Sequence, residues 1–290
     1  MEILTQEFVR SLFPKRPADG NKGTFGRAML ICGSYRMPGA ACMSTMAAVR
    51  SGAGLVELAF PQSAYAAITP KLNEPVLCPV PDRDGQFSNS SEAHILQSAA
   101  RADAVLIGCG IGRGAETDRA VLSWITAIDK PMVIDADGIN ILAGHIDLLK
   151  RRTAPTILTP HPGEMGRLMG VTAQQVQADR ERAAGFFDGY PNVTLVLKGA
   201  GTIIAAPGGV RYLNPTGNCG MAKGGSGDVL AGMVVSFLAQ GMAPAHAAAA
   251  AVYVHGLCGD RCAQVRSVRG MTPGDMVAEL PYALKDFESD

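Results

Sequence analysis

Asn214-Pro-Thr-Gly-Asn-Cys-Gly-Met-Ala-Lys-Gly-Gly-Ser-Gly-Asp228 runs straight into the apolar stretch 229–238. This is the pattern of a glycine-rich turn that opens a helix with a carboxylate at its mouth. Gly224, Gly225 and Gly227 have no Cβ, so the backbone can turn tightly and bring its N–H groups against an anion. Beyond the turn, Val229, Leu230, Met233, Val234, Phe237 and Leu238 recur at helical spacing, and Gly241 supplies a stop. The unpaired N–H groups and the positive dipole end of this helix face whatever occupies the loop. Phosphoryl transfer is the chemistry such a cradle favours.

Asp228 admits two roles. A carboxylate beside a phosphate site repels the ligand unless it takes a proton from an attacking hydroxyl. The alternative is a helix N-cap, which Asp performs well and which is worth about 1 kcal/mol. Gly220, Gly224, Gly225 and Gly227 crowd into eight residues, more flexibility than a cap requires, and this favours the base. The loop is not a Walker A motif, because no Gly-Lys-Ser/Thr closes it and Lys223 precedes the glycines.

Composition narrows the class further. Lys plus Arg equals Asp plus Glu at 26 each over 290 residues, so no global field gathers nucleic acid or anionic membrane. The first residues carry acids and no long apolar core, and no apolar run reaches membrane-spanning length. A cytoplasmic protein without nucleic-acid or membrane partners is expected. The seven cysteines contain no Cys-x-x-Cys pair and read as reduced core residues. His255, Cys258 and Cys262 fall near one helix face, but no second cluster completes a tetrahedral metal set, and ordinary packing is the simpler reading.

Short apolar runs alternate with helical patterns along the whole chain, which predicts an α/β fold with a mainly parallel sheet between helices. Strands are expected at 28–32, 55–60, 104–107, 132–134, 156–158, 194–197, 202–205 and 210–213. The last three lie close together, with Pro207-Gly-Gly between two of them, so an antiparallel hairpin is expected near one edge. Helices are expected at 39–51, 92–100, 116–128, 138–149, 163–169, 173–187, 228–239 and 243–263. No linker or repeat divides residues 1–290, which read as one domain.

Ligands of open α/β sheets gather at the carboxyl ends of the strands. Gly33 to Ala41 follows the first predicted strand as a turn into a helix of small residues. Gly108-Cys-Gly110-Ile-Gly112 follows the third, and its spacing is not the Gly-x-Gly-x-x-Gly of a dinucleotide-binding dehydrogenase. Asp135-Ala-Asp137-Gly ends another strand and lacks the remaining ligands of a calcium loop. Thr159-Pro-His161-Pro-Gly-Glu164 is stiffened by two prolines and holds an imidazole and a carboxylate in place. It suits recognition, or else forms a solvated turn with Glu164 near the next helix N-terminus. Lys198-Gly-Ala-Gly-Thr202 offers an ammonium and exposed amides to a nucleotide.

The segments Asn21-Lys-Gly-Thr-Phe-Gly-Arg, Gly39-Ala-Ala, Arg50-Ser-Gly-Ala-Gly-Leu-Val, Asp135-Ala-Asp, Leu158-Thr-Pro-His-Pro-Gly-Glu, Lys198-Gly-Ala-Gly-Thr and Gly224-Gly-Ser-Gly-Asp-Val-Leu-Ala-Gly occur in this order. So do Ala251-Val-Tyr-Val-His-Gly and Met271-Thr-Pro-Gly-Asp. The chain thereby resembles the ADP-dependent NAD(P)H-hydrate dehydratases over nearly its whole length. The resemblance implies a ribokinase-like fold and dehydration of (S)-NADH-hydrate and NADPH-hydrate, with ADP as co-substrate and Mg2+ as cofactor. It implies substrate contacts at Ala40, Gly112, His161 and Asp228. Lys198, Gly199, Ala200, Gly201, Thr202 and Gly227 fall where AMP binds, Gly225, Ser226 and Gly227 form the anion hole, and Glu164 is a candidate metal ligand. It further implies a homo-oligomer, a tetramer, and an NAD(P)H-hydrate epimerase on a separate chain.

The departures from the family pattern are Ser226 for Thr, Cys219 for Pro and Lys223 for a small polar residue. Lys223 could add a phosphate contact or point to water. A small-molecule kinase of the same fold, acting on hydroxyethylthiazole or a sugar, is the nearest alternative. A non-catalytic dinucleotide sensor is the other, and Asp228 argues against it.

Overall fold

The computed structural model describes residues 1–288. Its strands, in chain order, are β1 (Glu2–Ile3), β2 (Arg27–Ile31), β3 (Leu55–Pro61), β4 (Val76–Val80), β5 (Asp82–Arg83), β6 (Gln86–Phe87) and β7 (Ala104–Ile107). There follow β8 (Met132–Ile134), β9 (Thr156–Leu158), β10 (Val193–Leu197), β11 (Ile203–Ala205) and β12 (Arg211–Leu213). The first helices are α1 (Gln6–Leu12), α2 (Pro38–Arg50), α3 (Tyr65–Ile68), α4 (Glu92–Ala100), α5 (Ala115–Ala127) and α6 (Asp137–Leu142). The rest are α7 (Pro162–Met169), α8 (Ala173–Ala178), α9 (Arg180–Ala184), α10 (Ser226–Ala239), α11 (Pro244–Val265) and α12 (Pro273–Leu284).

Ten strands form one sheet in the order β1-β12-β11-β10-β9-β8-β7-β2-β3-β4, and β5 pairs with β6 as a separate hairpin. From β10 across to β4 every neighbouring pair is parallel. The central strands are apolar on both faces because helices cover both. Leu30, Leu58, Leu106, Val133, Ile157 and Val196 point into one core, closed by α2, α10, α11 and α12. Ile31, Ile107, Ile134, Leu158, Leu195 and Leu197 point into the other, beneath α5, α6, α7 and α9.

The predicted α/β architecture and antiparallel turn-back are present, with the turn-back extended. β10, β11 and β12 form an antiparallel meander, and β1 pairs parallel with β12 to make the actual edge. The predicted helix 138–149 ends at Leu142, because Gly144 takes φ +87 and a 3-10 segment, Ile146–Arg151, follows. The predicted helix 173–187 is broken at Asp179, whose backbone leaves the helical region and whose side chain caps α9 by accepting from Arg182 N–H at 3.0 Å. Strands β1, β4, β5 and β6 and helices α1, α3 and α12 lie outside the predicted set.

Helix α10 is buried on nearly every side, from Val229 to Ala239, as its continuous apolar sequence requires. It packs across α2 so closely that a Cβ on Gly232 would stand 2.1 Å from the Ser44 carbonyl oxygen. Gly232→Ala gains about 1 kcal/mol of helix propensity but forces two backbones apart. We expect a net loss on the order of 2 kcal/mol, measured as a lower urea midpoint; equal or greater stability would mean that α2 and α10 can separate freely.

Candidate functional site

Helix α10 begins at Ser226, two residues earlier than its apolar pattern suggests. Its N-cap is Gly225 at φ +100, with no side-chain cap hydrogen bond. Asp228 therefore lies inside the first turn and is not the N-cap, which removes one of the two readings of that residue. The Ser226 hydroxyl donates to the Met221 carbonyl at 2.6 Å, and Ser226 N–H to the Lys223 carbonyl at 3.3 Å. The amides of Gly227 and Asp228 remain as first-turn donors without helical partners.

The ends of β8, β9 and β10 face this turn. Lys198, directly after β10, donates to Asp135 Oδ1 at 2.8 Å and lies 3.7 Å from Glu164 Oε2. Asp135, directly after β8, also accepts from Thr159 Oγ1 at 2.6 Å. Burial opposes the Lys198 ammonium, but Asp135 and Glu164 outweigh it and hold its proton affinity above the ordinary lysine value. Gly227 makes room for the pair, since a Cβ there would lie 3.2 Å from Lys198 Nζ.

His161 is the N-cap of α7. Its Nδ1 accepts from Gly163 and Glu164 N–H at 3.0 and 3.3 Å, and Glu164 Oε2 accepts from His161 N–H at 2.8 Å. This reciprocal box is the local reason the His-Pro-Gly-Glu segment folds as it does. Glu164 is buried, which raises its proton affinity against the pull of Lys198.

Asp228, Asp135 and Cys109 bring ligand atoms within 4.8 Å of one another. Burial, and then the charge of Asp135, raise Asp228 to about 6. A hydrogen bond with Cys32 and full burial keep the Cys109 thiol protonated, so it stands at 3.6 Å as a donor to Asp135 Oδ2.

A cavity of about 820 Å3 collects His161, Glu164, Lys198 to Thr202, and Gly225 to Asp228. Ala40 and Gly112 do not line it. Gly112 lies around the corner, its N–H donating to Asp137 Oδ2 at 2.9 Å, and Ala40 abuts Gly110, where a Cβ would come within 2.6 Å of Ala40 Cβ. The two regions are joined by Asp135-Ala136-Asp137, with Ala136 held at φ +51. Lys223 is at the lining of the cavity, but its ammonium is engaged by the Arg269 and Met271 carbonyls.

Sequence reasoning left Asp135, Cys109 and His255 out of the site. Asp135 carried a signal in its place at a strand end. His255 lines the cavity from α11, buried, with Nε2 unpartnered and its proton affinity pulled down by burial to about 4.

An open α/β sheet with this glycine turn is the ribokinase-like fold. A hydroxyethylthiazole kinase from Pyrococcus horikoshii shares the fold at TM-score 0.59 and 15% identity, over 98% of this chain and 93% of that one. That likeness shows the fold alone. The family model described as NAD(P)H-hydrate dehydratase matches residues 28–282, and the chain belongs to this family. It is similar to the ADP-dependent (S)-NAD(P)H-hydrate dehydratase of Bacillus subtilis, 36% identical over 98% of both chains. The crystal structure of that organism's ADP/ATP-dependent NAD(P)H-hydrate dehydratase, co-crystallised with ATP and Mg2+, gives TM-score 0.84 at 35% identity over 99% of each chain. The bifunctional NAD(P)H-hydrate repair enzyme Nnr of Moorella thermoacetica is 39% identical over 99% of this chain and 54% of its own length. The chain spans about half the length of that and similar bifunctional relatives. Among the described residues no helix is long and apolar enough to cross a membrane.

Folding raises the proton affinity of Asp228 from 3.8 to about 6, so its ionised form is less favourable in the folded chain than in the unfolded one. The cost is absent below the lower value, grows as pH rises between the two, and is complete above the higher. Asp228→Asn removes it. The variant should exceed the parental chain in urea stability by on the order of 1–3 kcal/mol at neutral pH, and the gain should vanish toward pH 4. A pH-independent difference would mean that the carboxylate is not desolvated.

Proposed function

We propose that the chain catalyses ADP-dependent dehydration of (S)-NADH-hydrate and NADPH-hydrate, returning NADH and NADPH with AMP and phosphate. The observation that carries this reading is Asp228 in the first turn of α10, desolvated, beside a Lys198–Asp135 pair and open amides. A carboxylate that binds weakly to its proton partner in water becomes a stronger base when buried, and about 6 suits work near neutral pH.

Asp228 takes the proton of the C6 hydroxyl as that oxygen attacks the terminal phosphorus of ADP. The bond from phosphorus to the bridging oxygen breaks and AMP leaves. The Gly227 and Asp228 amides and Lys198 hold the transferring phosphoryl oxygens. The ring nitrogen lone pair then expels phosphate from C6, and loss of a C5 proton restores the dihydropyridine. Hydroxide, a poor leaving group, is thus replaced by phosphate. His161 faces the substrate, Ala40 and Gly112 take the part of the dinucleotide beyond the Asp135–Asp137 corner, and the amides from Gly199 to Thr202 take the AMP portion.

The donor set also fits magnesium. Asp135 and Asp228 are hard oxygen donors within reach of one another, whereas the protonated Cys109 is not a ligand; Glu164 is a further hard donor nearby, engaged by His161 N–H. The two aspartates, with nucleotide phosphate oxygens, would hold the ion, which would neutralise phosphate charge. One domain over 1–290 is supported by the single sheet that joins β1 to β12. A second repair activity beside this one is consistent with the bifunctional name of the Moorella thermoacetica relative; that it is an epimerase on a separate chain rests on the resemblance. A homo-oligomer, on the resemblance, and a cytoplasmic setting, on the sequence pattern, complete the proposal.

The test is to incubate the chain with hydrated NADH, magnesium and ADP and follow recovery of dihydronicotinamide absorbance together with AMP. A kinase would instead leave a phosphorylated product. Asp228→Asn should cut turnover by about 10² or more, as for loss of a general base, with AMP affinity nearly unchanged. Turnover at the parental rate would remove Asp228 from the chemistry. In the parental chain kcat/KM should fall as pH drops through about 6, because only the carboxylate accepts the proton; a flat profile from pH 5 to 8 would contradict this.

A further inference from the structure

Arg180, the first residue of α9, lies against the turn that joins β10 to β11. Its Nη1 donates to the Lys198 carbonyl at 3.3 Å, and its Nη2 to the carbonyls of Leu197 at 3.0 Å and Gly201 at 3.2 Å. Thr202 Oγ1 takes up the Gly199 carbonyl at 3.0 Å. The carbonyls of Leu197, Lys198, Gly199 and Gly201 are thus engaged, three of them by the one guanidinium. The amides of Gly199, Ala200 and Gly201, in contrast, find no backbone acceptor among the described residues, and these residues line the large cavity. The guanidinium sits so close that a Cβ on Gly199 would come within 2.7 Å of Nη1. Its other partner is neutral, the Gln177 side-chain oxygen at 2.8 Å, and burial lowers its proton affinity with no carboxylate to oppose the shift.

We propose that Arg180 is a positioning residue for the nucleotide: by holding the carbonyls of Leu197, Lys198 and Gly201 it fixes the turn with the amides of 199–201 left open to the acceptor oxygens of a nucleoside monophosphate. A turn whose carbonyls and amides alternated toward the cavity would repel those oxygens as often as it bound them. The planar fork of arginine is what reaches three carbonyls at once; a lysine, with one compact ammonium, reaches one or two. The inference rests on the nucleotide site proposed above and adds to it the residue that sets the site's polarity.

Calorimetric titration of AMP into the parental chain, Arg180→Lys and Arg180→Gln tests this. Both variants should weaken AMP about tenfold, the scale of one or two lost hydrogen bonds. The KM for ADP should rise in step while kcat at saturating ADP stays within about twofold, which a general loss of structure would not produce. If Arg180→Lys bound AMP like the parental chain, charge alone would matter and the positioning role would be overturned. Parental AMP binding with unchanged affinity in both folded variants would overturn this inference and leave the nucleotide site standing. Failure of the parental chain to bind AMP would overturn both. Hydrogen exchange on the parental chain needs no variant: the amides 199–201 should exchange rapidly alone and slow at least tenfold with AMP, and protection already present without AMP would overturn the donor-surface reading.

Discussion

The Lys198 ammonium is the constraint on which the site depends. It is fixed at 2.8 Å from Asp135, and the two belong to strands separated by one neighbour, so their meeting is set by the parallel register of β8, β9 and β10. Thr159, on the strand between them, completes the arrangement by donating to the same carboxylate oxygen. A buried charge without partners would cost several kcal/mol. The sheet therefore has to bring an ammonium and carboxylates to the same edge together, and their mutual compensation is what lets charged chemistry sit in a cavity with apolar walls.

Helix α10 is the second half of that constraint. Its N-terminal turn contributes donors that carry no counter-ion and need no side chain, but only if the helix cannot slide. Burial on all sides and backbone contact at Gly232 provide that immobility. The left-handed Gly225 then aims the first turn at the strand ends. Lys223 fastens the preceding loop to the Arg269 and Met271 carbonyls, and from there the chain enters α12. A residue that the sequence left open between an anion contact and water is instead part of the frame around the glycine turn.

Much of the fold was legible because its central strands are continuous apolar runs and its helices are amphipathic or fully apolar. What could not be read was mostly at the margins. Strand β1 has two residues, and β4 contains Pro79 and is partly exposed, so neither shows a strand pattern. Helix α12 carries Pro281 within it, which reads as a break although Thr272 and Asp275 form a capping box at its start. In the site, local signals were readable: the glycine turn, the stiff His161 to Glu164 loop and Lys198 followed by glycines. The partnership of Asp135, Glu164 and Lys198 was not, because it is created by strand order, about which periodicity is silent. The position of Asp228 inside the helix was hidden for a different reason. Ser226 and Gly227 are poor helix formers in isolation, and only packing against the strand ends draws them into the first turn.

The charge balance of the cavity also bears on the base proposed above. Lys198 is already matched by Asp135, and Glu164 lies near it, so the ammonium brings no surplus positive charge to a polyphosphate. Phosphate charge brought beside Asp228 would raise its proton affinity beyond the value of about 6 set by burial and Asp135. The carboxylate would then be protonated at neutral pH and unable to act as a base. A divalent ion held by Asp135 and Asp228 would reverse the sign of the local field and favour the ionised form of Asp228. Such a cation would serve the proposed base as much as the phosphate. The uncharged donors of the site, the α10 amides and the 199–201 turn, are there because each can hold an oxygen without shifting that balance.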